Sequence, residues 1–231
     1  MHALLPVALA VALSACVRVD GDGTIRTETR PLDEVSAISV SGGLDVIALN
    51  GPPGLTVEGD DNLLSMVVTR VKDGALLVEP KDGASFKPTQ PIRVTVTLPK
   101  LKRLSISGGS GAHVEGGTDR QLDVSISGGG RFVAETLEVD ALELHASGGS
   151  DVTLAGKARH ALVDVSGGVE AEAMRLEVTH AVVDVTGGSN LSVTVTDAVA
   201  GHASGGSDAI VSGNPPRRHV LSSGGSDVTY L

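Results

Sequence analysis

The sequence predicts an all-β protein, a right-handed parallel β-helix (solenoid) of short rungs with an irregular β N-terminal part, and three observations predict it. Ser/Thr-Gly-Gly recurs from Ser107 to Ser223 at successive spacings of 20, 20, 19, 20, 18 and 19 residues. Apolar residues alternate with polar ones on both flanks of each recurrence. Only three of the 231 residues are aromatic, against 30 glycines, so the interior must be built from Val, Leu, Ile and Ala.

At the N-terminus, Ala3 to Leu13 is an apolar run too short to cross a bilayer core of about 30 Å but long enough for the hydrophobic region of a signal peptide. It closes in Leu13-Ser14-Ala15-Cys16, which resembles the lipobox of bacterial lipoproteins. That resemblance implies cleavage before Cys16, acylation of its thiol and of the new amino terminus, and a firm lipid anchor. Residues 1–15 are therefore expected as a signal peptide and 16–23 as a lipidated tether. Val17, in place of an Asp after the cysteine, favours the outer membrane by similarity to enterobacterial sorting. Cys16 is the only cysteine, which excludes an intrachain disulfide.

Residues 24–231 are expected as one domain. Its first part, 24–100, holds a single Ser-Gly-Gly corner at Ser41, flanked by Ile38, Val40, Val46 and Ala48. Turn signals then crowd the chain: Pro52-Pro53, Asp60-Asp61-Asn62, Lys72-Asp73-Gly74 and Lys87-Pro88. Val71 to Leu76 reads as a hairpin and Ile92 to Leu98 as an alternating strand, so this part is read as irregular β-structure that starts the helix and caps its first rung.

From 101 to 231 the rungs are regular. The residue before each corner Ser/Thr, the one two positions earlier, and the third and fifth after the second Gly are apolar at every corner from Ser107 onward, Gly201 and Ser222 excepted. A period of two on both sides of a Gly pair means strands entering and leaving a corner. Nineteen to twenty residues at about 3.3 Å each give a circuit of roughly 65 Å, a β-helix rung. A hexapeptide helix needs a period of six, and a sandwich needs hairpin turns every eight to twelve residues; neither schedule is present. The corner Ser/Thr are expected to form a hydroxyl ladder.

A lipobox, a strand from Val35 to Ser41 continuing into Gly42-Gly43-Leu44-Asp45-Val46, and the step Leu98-Pro99-Lys100-Leu101 leading into Ser-Gly-Gly rungs resemble the auto-transporter adhesin head GIN domain family over roughly residues 32–231. The Gly-Ile-Asn tripeptide itself is replaced by Gly-Gly-Ser-Asp at Gly148, Gly205 and Gly224 and by Gly-Gly-Ser-Asn at Gly187. The resemblance implies a pectin-lyase-like β-helix, a place in the bacterial cell envelope and an adhesive or binding role. It supplies no catalytic residues.

Two outward columns could carry chemistry. The first, two residues before each corner, reads Ser105, Ser125, His145, Asp164, Asp184, His202 and Leu221. In a parallel stack, Asp164 and Asp184 stand about 4.8 Å apart and repel by about 1 kcal/mol in water, or about 3.5 kcal/mol at an effective dielectric of 20. His145, Asp164, Asp184 and His202 are thus a candidate site for a divalent metal such as zinc, with a solvated outer face as the plain reading. The second column reads Gly111, Arg131, Asp151, Glu170, Asn190, Asp208 and Asp227, with Arg131 and Asp151 expected as a surface pair. It lacks the third Gly and the nine-residue period of calcium-binding nonapeptide arrays.

A net charge of −10 and three aromatics exclude a nucleic-acid partner and an aromatic-lined groove. Nucleophile elbows, zinc-protease helices and phosphate loops are missing from the sequence. The expected function is a non-catalytic envelope lipoprotein, a β-helical adhesion or binding module without a cofactor. Its expected partners are the membrane, through the lipid, and an envelope protein or glycan ligand. A glycan-active enzyme on a pectin-lyase-like helix and a metal-binding envelope scaffold are the alternatives. After Ser223-Gly224-Gly225 only six residues follow, so the last rung is expected to be uncovered and open to end-to-end self-association.

Overall fold

The computed structural model describes residues 17–116 and 118–231. Cys16 and the apolar run before it lie outside the described residues. The N-terminal part comprises β1 (Val17–Asp20), β2 (Ile25–Arg30), β3 (Ala37–Val40), β4 (Asp45–Asn50), β5 (Gly54–Asp60), α1 (Asp61–Leu64), β6 (Val67–Lys72), β7 (Ala75–Pro80), β8 (Ala84–Lys87) and β9 (Arg93–Leu98). The rungs continue through β10 (Leu101–Ile106), β11 (Gly111–Glu115), β12 (Thr118–Ile126), β13 (Arg131–Ser147), β14 (Asp151–Ser166) and β15 (Glu170–Thr186). They end with β16 (Asn190–Ser204), β17 (Asp208–Ser212), β18 (Arg217–Ser222) and β19 (Asp227–Tyr230).

The fold is the expected β-solenoid, of about six turns with an irregular N-terminal sheet. Strands pair in parallel from rung to rung, and the pairing keeps each sequence column in register: Ser125 faces His145, then Asp164, Asp184, His202 and Leu221. Each rung has a face after the corner, a short side and a face before the next corner, as the separate pairings of 131–134, 137–139 and 141–147 with the next rung show. Side chains expected inward are buried through Val211, among them Phe132, Leu144, Val165, Val183 and Val193. The interior is a continuous column of small aliphatic side chains, which a rung of this circumference can fill without aromatic wedges.

The corners show why the glycines come in pairs. Gly187 and Gly188 have φ of 69° and 76°, a left-handed conformation costly to any residue with a Cβ. A Cβ on Gly187 would also lie 2.9 Å from the backbone nitrogen of Gly167 in the rung below, whereas one on Gly188 would meet nothing within 4 Å. The first glycine is thus required by stacking and conformation together, the second by conformation alone.

The hydroxyl ladder is carried by a different residue from the one expected. The serine after the Gly pair points inward, and Ser110, Ser150, Ser189, Ser207 and Ser226 are buried, while the corner Ser/Thr are half-buried or exposed. Ser189 Oγ accepts from the backbone N–H of Gly168 (3.2 Å) and Val169 (3.1 Å) in the rung below and donates to Thr186 O in its own corner (2.8 Å). Ser207 repeats the arrangement one rung higher, and Ser110 Oγ accepts from the backbone N–H of Gly43 and Leu44. A turn leaves backbone N–H groups without strand partners, and burying them unpaired costs free energy; at Ser110, Ser189 and Ser207 a single hydroxyl serves two such donors.

Regular rungs also begin earlier than residue 101. β3 and β4 pair in parallel with β10 and β11, so the Ser41 corner is a full member of the stack. Below it, β7 and β9 pair in parallel with β3 and β4. Parallel stacking stops there: β5 runs antiparallel to β9 and to β2, and β6 antiparallel to β7. α1 seats Leu63 and Leu64 against the end of the core. The β6–β7 hairpin turns at Asp73-Gly74, both with positive φ, as the sequence predicts.

The stretch expected as a tether is strand from Val17. β1 pairs in parallel with β8, and Val19 packs against the core beside Phe86, because Val17-Arg18-Val19 alternates well enough to add to an open edge. Asp60 then latches the chain. Buried at 0% exposure, its carboxylate accepts from Thr89 Oγ1 (2.6 Å), Thr89 N–H (2.9 Å) and Gly23 N–H (2.8 Å). The Thr89 hydroxyl, ahead of the opposing effect of burial and of the two backbone donors, holds the Asp60 pKa below its ordinary value. A lowered folded-state pKa contributes stability above the unfolded value near 3.8, and that contribution is lost as pH falls through the folded value. Wild type is therefore expected to lose melting temperature on acidification below about pH 4 more steeply than Asp60→Asn, and parallel melting curves down to pH 2 would remove the latch from the account.

At the other end, among the described residues, β18 pairs only with β16 and β19 only with β17. Val220, Val228 and Tyr230 are half-buried there, and the Arg218 guanidinium lies 5.1 Å from the Tyr230 ring centroid.

Candidate binding face

The face before the corner, formed by β10, β12, the second halves of β13 to β16, and β18, carries five of the six histidines among the described residues. Strand pleat sends alternate residues outward, and register stacks them into rows across the rungs. One row reads Arg103, Asp123, Glu143, Leu162, Val182, Ala200 and His219, and the next Ser105, Ser125, His145, Asp164, Asp184, His202 and Leu221. Beside the first row lie Ala141, His160, His180, Ala198 and Arg217.

The candidate metal residues are brought into one column as expected, but they close into two separate pairs. His145 Nδ1 lies 3.6 Å from Asp164 Oδ2, and His202 Nδ1 lies 3.1 Å from Asp184 Oδ1. Each carboxylate has its own imidazole, which lessens the repulsion between Asp164 and Asp184 without an ion. Among the described residues no three His, Cys, Asp or Glu side chains come together as a group able to hold a metal. His145 also donates through Nε2 to Glu143 Oε1 at 2.9 Å. That hydrogen bond, with the charges of Glu143 and Asp164 adding to it against partial burial, raises the His145 pKa above its ordinary 6.5.

Sequence reasoning did not single out the neighbouring histidines. The His160 and His180 rings stack with centroids 5.0 Å apart, and His180 Nε2 lies 2.9 Å from Asp197 Oδ2, which also pairs with Arg217. Their signal was the 20-residue spacing between them, the same as that of several corners. Beside the stack are the exposed apolar side chains Leu162 (37%) and Val182 (46%), polar positions by strand alternation but apolar in fact.

A groove of about 790 Å³ crosses the rungs here, with Lys102, Arg103 and Arg120 toward one end and His160, His180 and Val182 toward the other. It follows the bend between the short side and the face, where Asp140 is held by Arg120 (3.5 Å) and Arg159 (2.9 Å). Lys102 pairs with Asp119 and Arg103 with Asp123. The charged groups are thus matched in exposed pairs, each worth little to stability, and form a polar, hydrogen-bonding wall beside an apolar strip. On the other side of the corner, Arg131 pairs with Asp151 (3.6 Å) as expected, and the Asn190 amide donates to Glu170 (2.8 Å).

The architecture recurs in solved structures. A putative adhesin from Bacteroides fragilis is 20% identical, with a TM-score of 0.86 over 92% of this chain and 99% of that one. A putative lipid binding protein from Parabacteroides distasonis is 19% identical, with a TM-score of 0.76 over 93% of this chain and 100% of that one. A putative adhesin from Parabacteroides merdae is 21% identical, with a TM-score of 0.71 over 93% and 99% of the two chains. At these identities the likeness is one of fold. No curated protein matches the sequence. The model of the family described as "Putative auto-transporter adhesin, head GIN domain" matches residues 34–215, from the strand before the first corner to the turn before β18, and the chain belongs to that family.

Proposed function

We propose that the protein is a non-catalytic adhesion or binding module of the bacterial cell envelope, anchored by lipid at Cys16 in the outer membrane, and that the face from β10 to β18 meets its ligand. The observation that carries this reading is the apolar strip of Leu162 and Val182, left open on a rigid sheet between two histidine-bearing rows. An exposed apolar strip rimmed by paired charges is what an interaction surface needs: area to desolvate, and hydrogen-bonding groups around it. Membership of an adhesin family and the names of the similar structures support the same reading. The lipobox-like Leu13-Ser14-Ala15-Cys16 supports the anchor.

One set of cells tests both parts. Cys16→Ala is expected to move the protein from the membrane fraction to the soluble one, and an unchanged membrane fraction without lipid on Cys16 would remove the anchor. Leu162→Ser/Val182→Thr is expected to weaken binding of the wild-type ligand found by screening glycans and envelope proteins about tenfold or more, with melting temperature little changed because both side chains are exposed and no charge is added. Full binding by the double variant would move the ligand off this face.

A further inference from the structure

We infer that the N-terminal cap is a seat on the lipid bilayer: the ribbon of β1 and β8, with the turn that precedes β8, enters the headgroup layer, and the body stands on the membrane without a tether. The inference rests on the reading of Cys16 as the lipidated residue and adds which surface of the fold the bilayer covers.

Covalent geometry sets the distance between anchor and fold. Cys16 is bonded to Val17, and Val17 is already paired in β1, in register with Ala84 of β8. Adjacent Cα atoms are about 3.8 Å apart and neighbouring strands about 4.8 Å, so the Ala84 Cα lies within about 9 Å of the Cys16 Cα. Acyl chains on Cys16 fill the hydrocarbon, and the headgroup layer above it is only about 5–8 Å thick. No length of chain remains to lift β1 clear of that layer. Because the pairing is parallel, both strands start at the same level. The turn from Lys81 to Gly83, closed by the Ala84 N–H on Lys81 O at 2.8 Å, therefore comes down beside the anchor.

The chain after β1 offers no hinge. Gly21 N–H donates to Lys87 O (3.0 Å), Asp22 N–H to Asn62 Oδ1 (3.1 Å), Gly23 N–H to Asp60 Oδ1 (2.8 Å), and the Asn62 amide to Asp20 O (2.9 Å). A Cβ on Gly21 would lie 2.3 Å from Asp60 Oδ2, so this segment is packed directly on the latch. A flexible linker of about eight residues would let the body wander roughly 16 Å from its anchor. Here the residues from Val17 onward belong to the cap, and the motion of the anchor is the motion of the whole body.

The chemistry of the surface agrees with this placement. Val19 and Phe86 turn toward the core, which leaves Arg18 with Ser85 and Asp20 with Lys87 on the outer side of the ribbon. With Lys81 and Asp82 of the turn, the ribbon carries three cations against two carboxylates, in a chain of net charge −10. Among the described residues Arg18, Lys81 and Lys87 have no ion-pair partner, whereas Arg26, Arg30, Arg70 and Arg93 of the same cap are each held by a carboxylate. The three are open to the phosphates that phospholipid headgroups present. The rungs of the binding face stack on the side of β3 and β4 away from β7 and β9, so a body seated on its cap holds that face clear of the bilayer.

The test uses the full-length lipidated chain in vesicles of phosphatidylcholine and phosphatidylglycerol containing a lipid with a nitroxide on its headgroup. Cys16 is the only cysteine and its thiol is acylated, so Asp82→Cys offers one thiol for a fluorophore beside the anchor, and Asp208→Cys one on β17; both positions are exposed. The nitroxide is expected to quench the fluorophore at 82 about twofold or more and to leave the one at 208 within about a tenth of its emission, because the headgroup layer does not reach the far rungs. Inserting about ten Gly and Ser residues between Cys16 and Val17 is expected to release most of the quenching at 82, while the protein still floats with the vesicles and keeps its melting temperature. Equal quenching at the two positions overturns the inference, as does quenching at 82 that survives the insertion, since the body would then adhere through its own surface. A chain without lipid that fails to float overturns the anchor reading itself. Flotation separates that failure from a lipidated chain that floats with 82 unquenched, which overturns the seat alone.

Discussion

Val165→Asp is expected to leave the chain unfolded at room temperature, whereas Asp164→Ser, one residue away, melts within a degree or two of wild type. Val165 is 0% exposed on the inner surface of β14, between Ala146 and Val185 of the adjoining rungs, with apolar side chains around it. A carboxylate there has no donor and costs several kcal/mol, against a typical total stability of about 5–15 kcal/mol. Asp164 points outward, pairs only with a half-exposed His145, and leaves a hydroxyl in water when replaced. Thermal denaturation followed by circular dichroism separates the two. Matching melting temperatures would mean that the inward and outward assignments of this face are reversed.

Gly201→Val is expected to be the next most damaging change, although the repeat itself recommends it. Position 201 occupies the inward column that holds Val124, Leu144, Val163, Val183 and Val220, so a reading by pattern alone would restore the missing Val. The backbone forbids it. Gly201 has φ of 144°, and a Cβ there would sit 1.8 Å from the carbonyl oxygen of Val183, an atom fixed in the sheet of the rung below. Strain of this kind costs on the order of 1–3 kcal/mol before any backbone displacement is added. Gly206→Asn is the informative comparison: it is also left-handed, at φ 76°, but has open space where the Cβ would go, and Asn tolerates that conformation. Its melting temperature should fall by far less. A Gly201→Val protein as stable as wild type would show that the strand can slide to admit the side chain.

What was legible in the sequence followed from period and alternation. A fixed corner spacing sets rung register, and register sets which outward residues are neighbours, so the sequence alone placed His145, Asp164, Asp184 and His202 in one column. It did not place their donor atoms, because whether four ligands converge or pair off depends on rotamers that spacing does not specify. The serine column was missed for another reason. A serine after a Gly pair reads as an exposed turn residue, and Gly130 and Val169 interrupt the series, so nothing in the pattern marks it as internal. The lower rungs were obscured by β5 and β6, antiparallel strands spliced between β4 and β7 that break the period while leaving the parallel pairing intact. The groove was invisible because it arises from a bend in continuous strands, which no residue type announces. His160 and His180 were within reach, since a 20-residue separation in a 20-residue repeat places two residues side by side.

The rungs are unequal in length, from 18 to 20 residues between corners, yet the corners and the face before them stay aligned. The difference is taken up on the way around: register slips between Ala134 and Leu137, between Thr153 and Ala155, and between Ala173 and His180. The stacked Gly-Gly corners thus act as a datum from which each turn is measured afresh, and errors of length do not accumulate along the stack. A lineage carrying such a scaffold can duplicate or delete a whole turn, or lose a residue on the far side, and still inherit its contact surface unaltered. Each added turn would lengthen that surface by about 4.8 Å, so the reach of the molecule is open to adjustment by unequal recombination, one increment at a time.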